Sequence, residues 1–354
     1  MQGKRAGRAL GALMLAAFLG GICSQIVVSV AGGKQVEAAA PAAAPAAGPT
    51  EVRATAEDVP TPQDVLARYK ANQDLLSRSI TKSETHTQFE GMDKGKQVTA
   101  SDLYSLTERG TDGDRVYVQM KRWGSTLKKP NVSEENPTFA SWLWDGKRFV
   151  NNTSLASNPP ERDIVIIEEG QKKPPGPTFN GGREAGLNGY LDETWDVRVD
   201  AALSGARSLK MREKQERVGE SDCYVLEAST ERGDFTVWID PSHGYNMAQA
   251  EVHKREGDIY GRGPLRRGMT NLNSIRNVRF EEVDGVWVPM ECDFRGELRD
   301  PGRGMVAIAT GHHRRTQVVL NPDFDALGSF APDYIREGAT VFYSGMPNVR
   351  YRWE

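Results

Sequence analysis

Cysteine is scarce in this chain: Cys23, Cys223 and Cys292 are the three in 354 residues, too few for a scaffold built on disulfides. Cys223 and Cys292 either pair in an oxidising compartment, which needs Cα atoms within about 7 Å, or stay as buried, unpaired thiols, the favoured expectation. An excess of one charge is also missing. Lys and Arg number 45 against 48 Asp and Glu, a formal net charge of −3. No concentrated basic face is therefore offered to nucleic acid, which is excluded as a partner. Catalytic signatures are absent too. No Gly-x-Ser-x-Gly elbow occurs, and Gly261-Arg262-Gly263 lacks the rest of a phosphate loop. Asp240-Pro241-Ser242-His243-Gly244 collects acid, hydroxyl and imidazole, but in a Pro-Gly turn, and reads as a turn rather than a triad. His86, His243 and His253 have no carboxylate or thiol at ligand spacing. Adjacent His312 and His313 point to opposite faces of a strand and do not share an ion. No metal, no cofactor and no enzyme activity is expected. No internal repeat at fixed period is present.

What is present begins with an export signal. Lys4, Arg5 and Arg8 form a basic n-region, and Ala9 to Ala31 is almost wholly apolar. This is either a secretory signal, with Ser29-Val30-Ala31 as a cleavage site, or a retained anchor long enough to cross about 30 Å of hydrocarbon. Leu19-Gly20-Gly21-Ile22-Cys23 has the outline of a lipobox, but Ile22 is not small, so Cys23 is read as part of the apolar run. In both cases the body of the protein is exported, into the periplasm. Residues 32–60 are an Ala/Pro-rich linker, a semi-rigid spacer with no periodic apolar pattern. The folded domain is expected over 61–354.

That domain opens with helix signals. Thr61-Pro62-Gln63-Asp64 offers an N-cap, a first-turn proline and a first-turn acid. Val65, Leu66, Tyr69, Leu76 and Ile80 follow at helical spacing, with Asn72 and Gln73 as weak points. The pattern predicts a helix over 62–79. Strands are predicted near 81–90, 97–109, 114–123, 140–151 and 161–169, separated by turns such as Gly91-Met92-Asp93-Lys94-Gly95. After a Pro/Gly loop at 170–182, Leu187, Tyr190, Leu191, Trp195, Val199, Ala202 and Leu203 suggest a second helix. Strands resume near 207–218, 222–230, 234–240, 246–256, 274–283, 286–298, 304–320 and 340–353, with a loop at 257–273. The order predicts an α+β fold with helices segregated from one large antiparallel sheet.

The most informative strand is 285–298. Val286, Val288, Met290, Cys292, Phe294 and Leu298 alternate with Trp287, Pro289, Glu291, Asp293, Arg295 and Glu297. One face is buried and one is wet, and so long a stave suggests a curved sheet, with Gly296 as a bend. Val286, Val288, Met290 and Phe294, together with Val306 and Ile308, are the candidate wall of a ligand hollow. In the strand 305–320, strict alternation puts His312 and Arg314 on the Val306/Ile308 face. They either mark the mouth of the cavity or are turned back to solvent by a bulge near Gly311. Trp142 and Trp144 share a face, whereas Trp238 and Trp287 face away from the Val/Ile rows.

The stretch Asp222 to Tyr245, with its Val-Trp-Ile-Asp-Pro strand and turn, resembles the lipoprotein-sorting (LolA-like) family. So do the opening Pro62 to Gln88 and the later Asp284-Gly-Val-Trp-Val-Pro-Met-Glu-Cys-Asp-Phe294. The resemblance covers most of 62–354 and is topological. It implies a strongly bent antiparallel sheet, an open half-barrel whose concave side is plugged by helices. It also implies an apolar hollow holding acyl chains of lipids or lipoproteins. None of the family's functional residues maps onto a position here. Two functions follow as expectations. One is an exported, non-catalytic binder of a lipophilic ligand or lipidated protein. The other is a tethered envelope interaction or sensor module with a filled core, binding a protein partner.

Overall fold

The computed structural model describes residues 59–126, 137–155, 157–170, 186–191, 197–261 and 263–354. The export segment, the linker up to residue 58 and nearly all of the 170–182 loop lie outside the described residues. Residues Thr61–Glu354 form one compact unit.

The first helix, α1 (Pro62–Leu75), starts where the sequence places it. The Thr61 hydroxyl accepts from the Asp64 amide, while the Asp64 carboxylate accepts from the Thr61 amide, a reciprocal capping box. The helix ends earlier than expected. Ser77 and Ser79 hydroxyls donate to the Asp74 and Leu76 carbonyls, and Ile80 belongs to the following strand. Among the described residues, no helix is long and apolar enough to cross a membrane.

The strands are β1 (Arg78–Asp93), β2 (Lys96–Asp112), β3 (Arg115–Thr126), β4 (Thr138–Trp144), β5 (Arg148–Leu155), β6 (Ile164–Glu169), β7 (Ser208–Met211), β8 (Glu216–Val218) and β9 (Ser221–Thr230). They continue with β10 (Gly233–Asp240), β11 (Asn246–Lys254), the small pair β12 (Ile259–Tyr260) and β13 (Gly263–Pro264), then β14 (Thr270–Val283), β15 (Val286–Asp300), β16 (Met305–Leu320), β17 (Thr340–Tyr343) and β18 (Met346–Arg352). All but β12 and β13 join one sheet in the order β18-β17-β6-β5-β4-β3-β2-β1-β16-β15-β14-β11-β10-β9-β7, with β8 also on β9. Its two ends do not meet. The fold is α+β, a large open half-barrel. One departure from a purely antiparallel sheet is the β17–β6 pair, which is parallel: after β16, in the middle of the strand order, the chain crosses over to add β17 and β18 at the β6 edge.

The expected second helix is two separate pieces. Residues 186–188 form a single turn, and α2 is only Val199–Ser204. Gly189 explains the break. Its φ is +79°, and a Cβ there would sit 2.8 Å from the Gln73 Oε1 and 3.2 Å from the Tyr69 hydroxyl, so the chain passes α1 where no side chain fits. Leu187, Leu191, Val199, Ala202 and Leu203 nonetheless reach one core with Val65, Leu66 and Tyr69 of α1 and Leu226, Phe235, Val237, Ile239 and Ile275 of the sheet. This helix-bearing side is the concave face.

The opposite, convex face is covered locally. Over β3–β6, Tyr117, Leu143, Val150, Val165 and Ile167 are packed by Phe324, Ile335, Ala339 and Val341 from the C-terminal segment, which includes the short α3 (Phe324–Leu327). Arg336 clamps the buried Asp163 with two bonds of 2.6 Å. Over β9–β11, Trp238 packs with Cys223, Val225 and Ala248, and its indole donates to Glu216 at 2.9 Å. Trp238 thus faces away from the Val/Ile row, covered by the β8 hairpin.

Candidate functional site

The residues proposed from sequence as one wall divide between two faces. Val288, Met290 and Phe294 lie on the concave side of β15. Val288 and Met290 pack with Leu320, Leu76 and the half-buried Val286, and Phe294 packs against the helix-plugged core. Val306, Ile308, His312 and Arg314 lie on the convex side, opposite Arg299, Glu297, Asp293 and Glu291. The correction has a definite cause. The β1–β16 register slips by one residue, from Ser83↔Arg315 to Lys82↔Gln317. The extra residue, Thr316, changes the parity of β16, so Val318 and Leu320 face inward while Val306 to Arg314 face outward. His312 and Arg314 keep the Val306/Ile308 face, as strict alternation gives, and no bulge lies near Gly311; the bulge lies beyond them, at Thr316. The inward row is Met305, Ala307, Ala309, Gly311, His313 and Arg315. Small residues there make room: a Cβ on Gly311 would lie 2.1 Å from the His86 carbonyl and 2.5 Å from the Phe294 ring. The register runs through Gly296 without a shift. The irregularity in this part of the sheet lies at Arg276–Arg279, where Asn277 adopts a φ of +54°.

On the convex side His312 links two carboxylates, with Nδ1 2.9 Å from Asp293 and Nε2 3.2 Å from Glu291. Burial raises the Asp293 pKa, but hydrogen bonds from Asn277 and His312 outweigh it and hold the carboxyl below its ordinary value. This is a surface ion cluster. No group of acids, histidines and cysteines among the described residues is arranged to hold a metal ion. The Asp240 turn is a turn: its carboxylate caps the Ser242 amide at 2.8 Å and meets His243 Nδ1 at 2.6 Å, while the imidazole stacks on Phe280 and meets Trp287 edge-on. Cys223 and Cys292 are free and buried. Burial pushes both thiols up to about 12, which leaves them unreactive near neutral pH.

The concave face has three zones. Over β9–β11, β14 and β15, the helices fill it. What remains at their edge is a crevice with about 200 Å³ of empty volume, open solvent included, lined by Gln73, Leu187, Asn246, Met247, Ile275 and Pro289. Beside it runs a polar band that sequence reading missed. Arg122, Ser105, Thr85 and His313 stand directly opposite one another across β3, β2, β1 and β16, with Thr107, Ser83 and Arg315 in the next row. His313 is fully buried. Its Nδ1 lies 2.7 Å from the Thr85 hydroxyl, and its Nε2 is buried without a hydrogen-bond partner. Burial first, then Arg315 and His312, lower the His313 pKa to about 3, so the ring is neutral. Arg315 donates to the Pro289 carbonyl at 2.8 Å and to Asn188 at 2.5 Å. A signal for this band existed in the alternation Ser79, Thr81, Ser83, Thr85, Thr87 along β1, each buried.

The third zone is apolar. Val116 and Val118 of β3, Trp142 and Trp144 of β4, and Phe149 of β5 form a cluster with Met120 and Ala140. No residue of either helix belongs to it. The two tryptophans share a face, as their spacing implies. The Trp144 indole N–H is buried without a partner.

No family model matches this chain, and no curated protein matches it. Among solved structures it is similar to a DUF1329 family protein from Desulfovibrio piger, at 12% identity and a TM-score of 0.38, covering 78% of this chain and 100% of that one. It is also similar to a LolA superfamily protein from Nitrosomonas europaea, at 15% identity and a TM-score of 0.32, covering 78% and 100%. A third is the MucA/MucB complex of Pseudomonas aeruginosa, at 12% identity and a TM-score of 0.23, covering 71% and 93%. Overlaps this loose carry no argument about function.

Proposed function

We propose that this chain is an exported, non-catalytic envelope protein that binds a lipophilic ligand, or the acyl chains of a lipidated protein, against the concave face of its half-barrel. The supporting observation is the aromatic cluster of β3–β5, with the buried Trp142, Trp144 and Phe149 on the concave side and, among the described residues, no helix residue packed into it. Val286, Val288, Met290 and Phe294 belong to the helix-plugged side of the same face and serve as its floor. The export pattern of residues 1–31 supports a periplasmic location, cleaved or anchored to the inner membrane. Each buried methylene contributes about 0.8 kcal/mol, so lengthening an acyl chain by two carbons tightens binding by roughly tenfold. A series of saturated acyl probes, read by quenching of tryptophan fluorescence, tests this. Affinity rising with chain length is expected, with lipid recovered by organic extraction and mass spectrometry of the purified protein. Affinity that ignores chain length, together with an extract free of lipid, refutes it.

A second reading has its own observation. The crevice described at the edge of the helix-filled half has about 200 Å³ of empty volume even with open solvent included, less than the enclosed volume of an ordinary small-molecule pocket. A tethered module with a filled core, binding a protein partner, fits that half of the molecule, and the same chain-length series separates the two.

A further inference from the structure

The polar band beside the aromatic cluster is chemically one-sided. The concave positions of β1 are Ser79, Thr81, Ser83, Thr85, Thr87 and Phe89, and those of β2 run from Ser101 through Ser105 and Thr107 to Arg109. On β3 they are Val116, Val118, Met120 and Arg122, and on β16 Met305 to Arg315 at odd positions. Asp93 stands on this face only at the exposed far end of β1, opposite Met305. At the concave positions from Ser79 to Gly91 and opposite them on β2, β3 and β16 no Asp or Glu occurs, whereas Arg109, Arg122 and Arg315 do. Arg122 is partly buried, and loss of surrounding water lowers its pKa. Its one hydrogen bond among the described residues is to the Met120 sulfur at 3.0 Å, a weak acceptor that leaves a partly buried cation poorly compensated. His313 Nε2, at the other end of the same cross-strand row, is buried and unpartnered. With strands about 4.8 Å apart, the row from Arg122 to His313 spans roughly 14 Å, and the apolar cluster begins on β3 itself at Met120, with Trp142 on β4 opposite Val118.

We propose that this band receives the anionic head, carboxylate or phosphate, of an amphiphile whose chain lies on the Trp142/Trp144/Phe149 cluster. The inference rests on the acyl-binding reading above and adds the sign and place of the head group. Arg122 supplies the charge nearest the apolar cluster, the Ser105 and Thr85 hydroxyls supply neutral donors, and a neutral His313 donates or accepts according to its tautomer. A desolvated anion finds here a cation that lacks a carboxylate, which is the case in which a buried ion pair contributes most.

The test uses the full chain, with hexadecanol, palmitate and hexadecyl phosphate below their aggregation limits and inorganic phosphate as a chainless control. Palmitate, hexadecyl phosphate or both are expected to bind at least about tenfold tighter than hexadecanol, the size of one charged hydrogen bond. The stronger of the two identifies the head group as carboxylate or phosphate. Arg122→Met should remove that preference, so that the anionic amphiphiles bind no tighter than hexadecanol, and Ser105→Asp, which places an acid directly opposite Arg122, should do the same. Equal binding of all three by the wild-type protein overturns this inference and leaves the acyl-binding reading standing. Binding by none of them overturns both. The wild-type comparison decides the matter even where a variant fails to fold. Inorganic phosphate matching hexadecyl phosphate would show a site for the anion alone and overturn the amphiphile.

Discussion

The neutral, buried His313 makes stability depend on pH in a calculable way. Its ordinary pKa of 6.5 falls to about 3 in the folded protein, chiefly through burial. Below pH 6.5 the unfolded chain takes up a proton that the folded chain refuses, so stability falls as the pH drops. The contribution is intact above pH 6.5, declines by about 1.4 kcal/mol per pH unit, and is exhausted near pH 3. Between pH 8 and pH 5 the loss is about 2 kcal/mol. The carboxylates whose pKa values are lowered, such as Asp74, Asp145, Asp293 and Glu297, lose their contributions only as the pH falls below their ordinary values of 3.8 and 4.5, so this window excludes them. Urea unfolding at pH 8 and pH 5 is the assay, comparing wild type with His313→Gln, whose amide still reaches Thr85 but does not titrate. With an m-value of about 3 kcal/mol/M, the wild-type midpoint should drop by roughly 0.7 M more than that of the variant. Equal drops in the two proteins would refute the assignment of a neutral imidazole buried in the band.

Other perturbations follow from the same geometry. Gly311→Ala drives a Cβ into the His86 carbonyl and the Phe294 ring, and should lower stability by about 3 kcal/mol or more, read from denaturant midpoints. Leu203→Ala, in the buried plug, should cost about 2–5 kcal/mol by the same measurement. Thr61→Ala, which removes the α1 cap, should cost about 1 kcal/mol. His312→Ala disturbs only a partly exposed ion cluster on the convex face. It should change stability by no more than about 1 kcal/mol and leave acyl-probe affinity unaltered. A marked loss of affinity would place the ligand on the wrong face.

Alternation and capping were legible because they are local. The start of α1 at Thr61, the positions of most strands, the shared face of Trp142 and Trp144 and the outward Trp238 all follow from residues within a few positions of one another. The long β15 stave was likewise readable, and so was its division into an apolar and a charged side. What a strand's own pattern does not contain is the register with its neighbour. The single extra residue at Thr316 exchanges the faces of β16, so Val306 and Ile308, the more apolar row by composition, lie outside while Ala307, Ala309 and His313 lie inside. The break near Gly189 is tertiary for the same reason: Tyr69 and Gln73, distant in sequence, occupy the space a side chain would need. The sequence by itself determined the strands, their two-sidedness and the cap that begins the domain, since these depend on backbone geometry and nearest neighbours. The tertiary structure alone decided which side became the interior. It set a polar row carrying Arg122 and the buried, neutral His313, drawn from four strands, beside an aromatic cluster, because pairing partners and a bulge are properties of the assembled sheet.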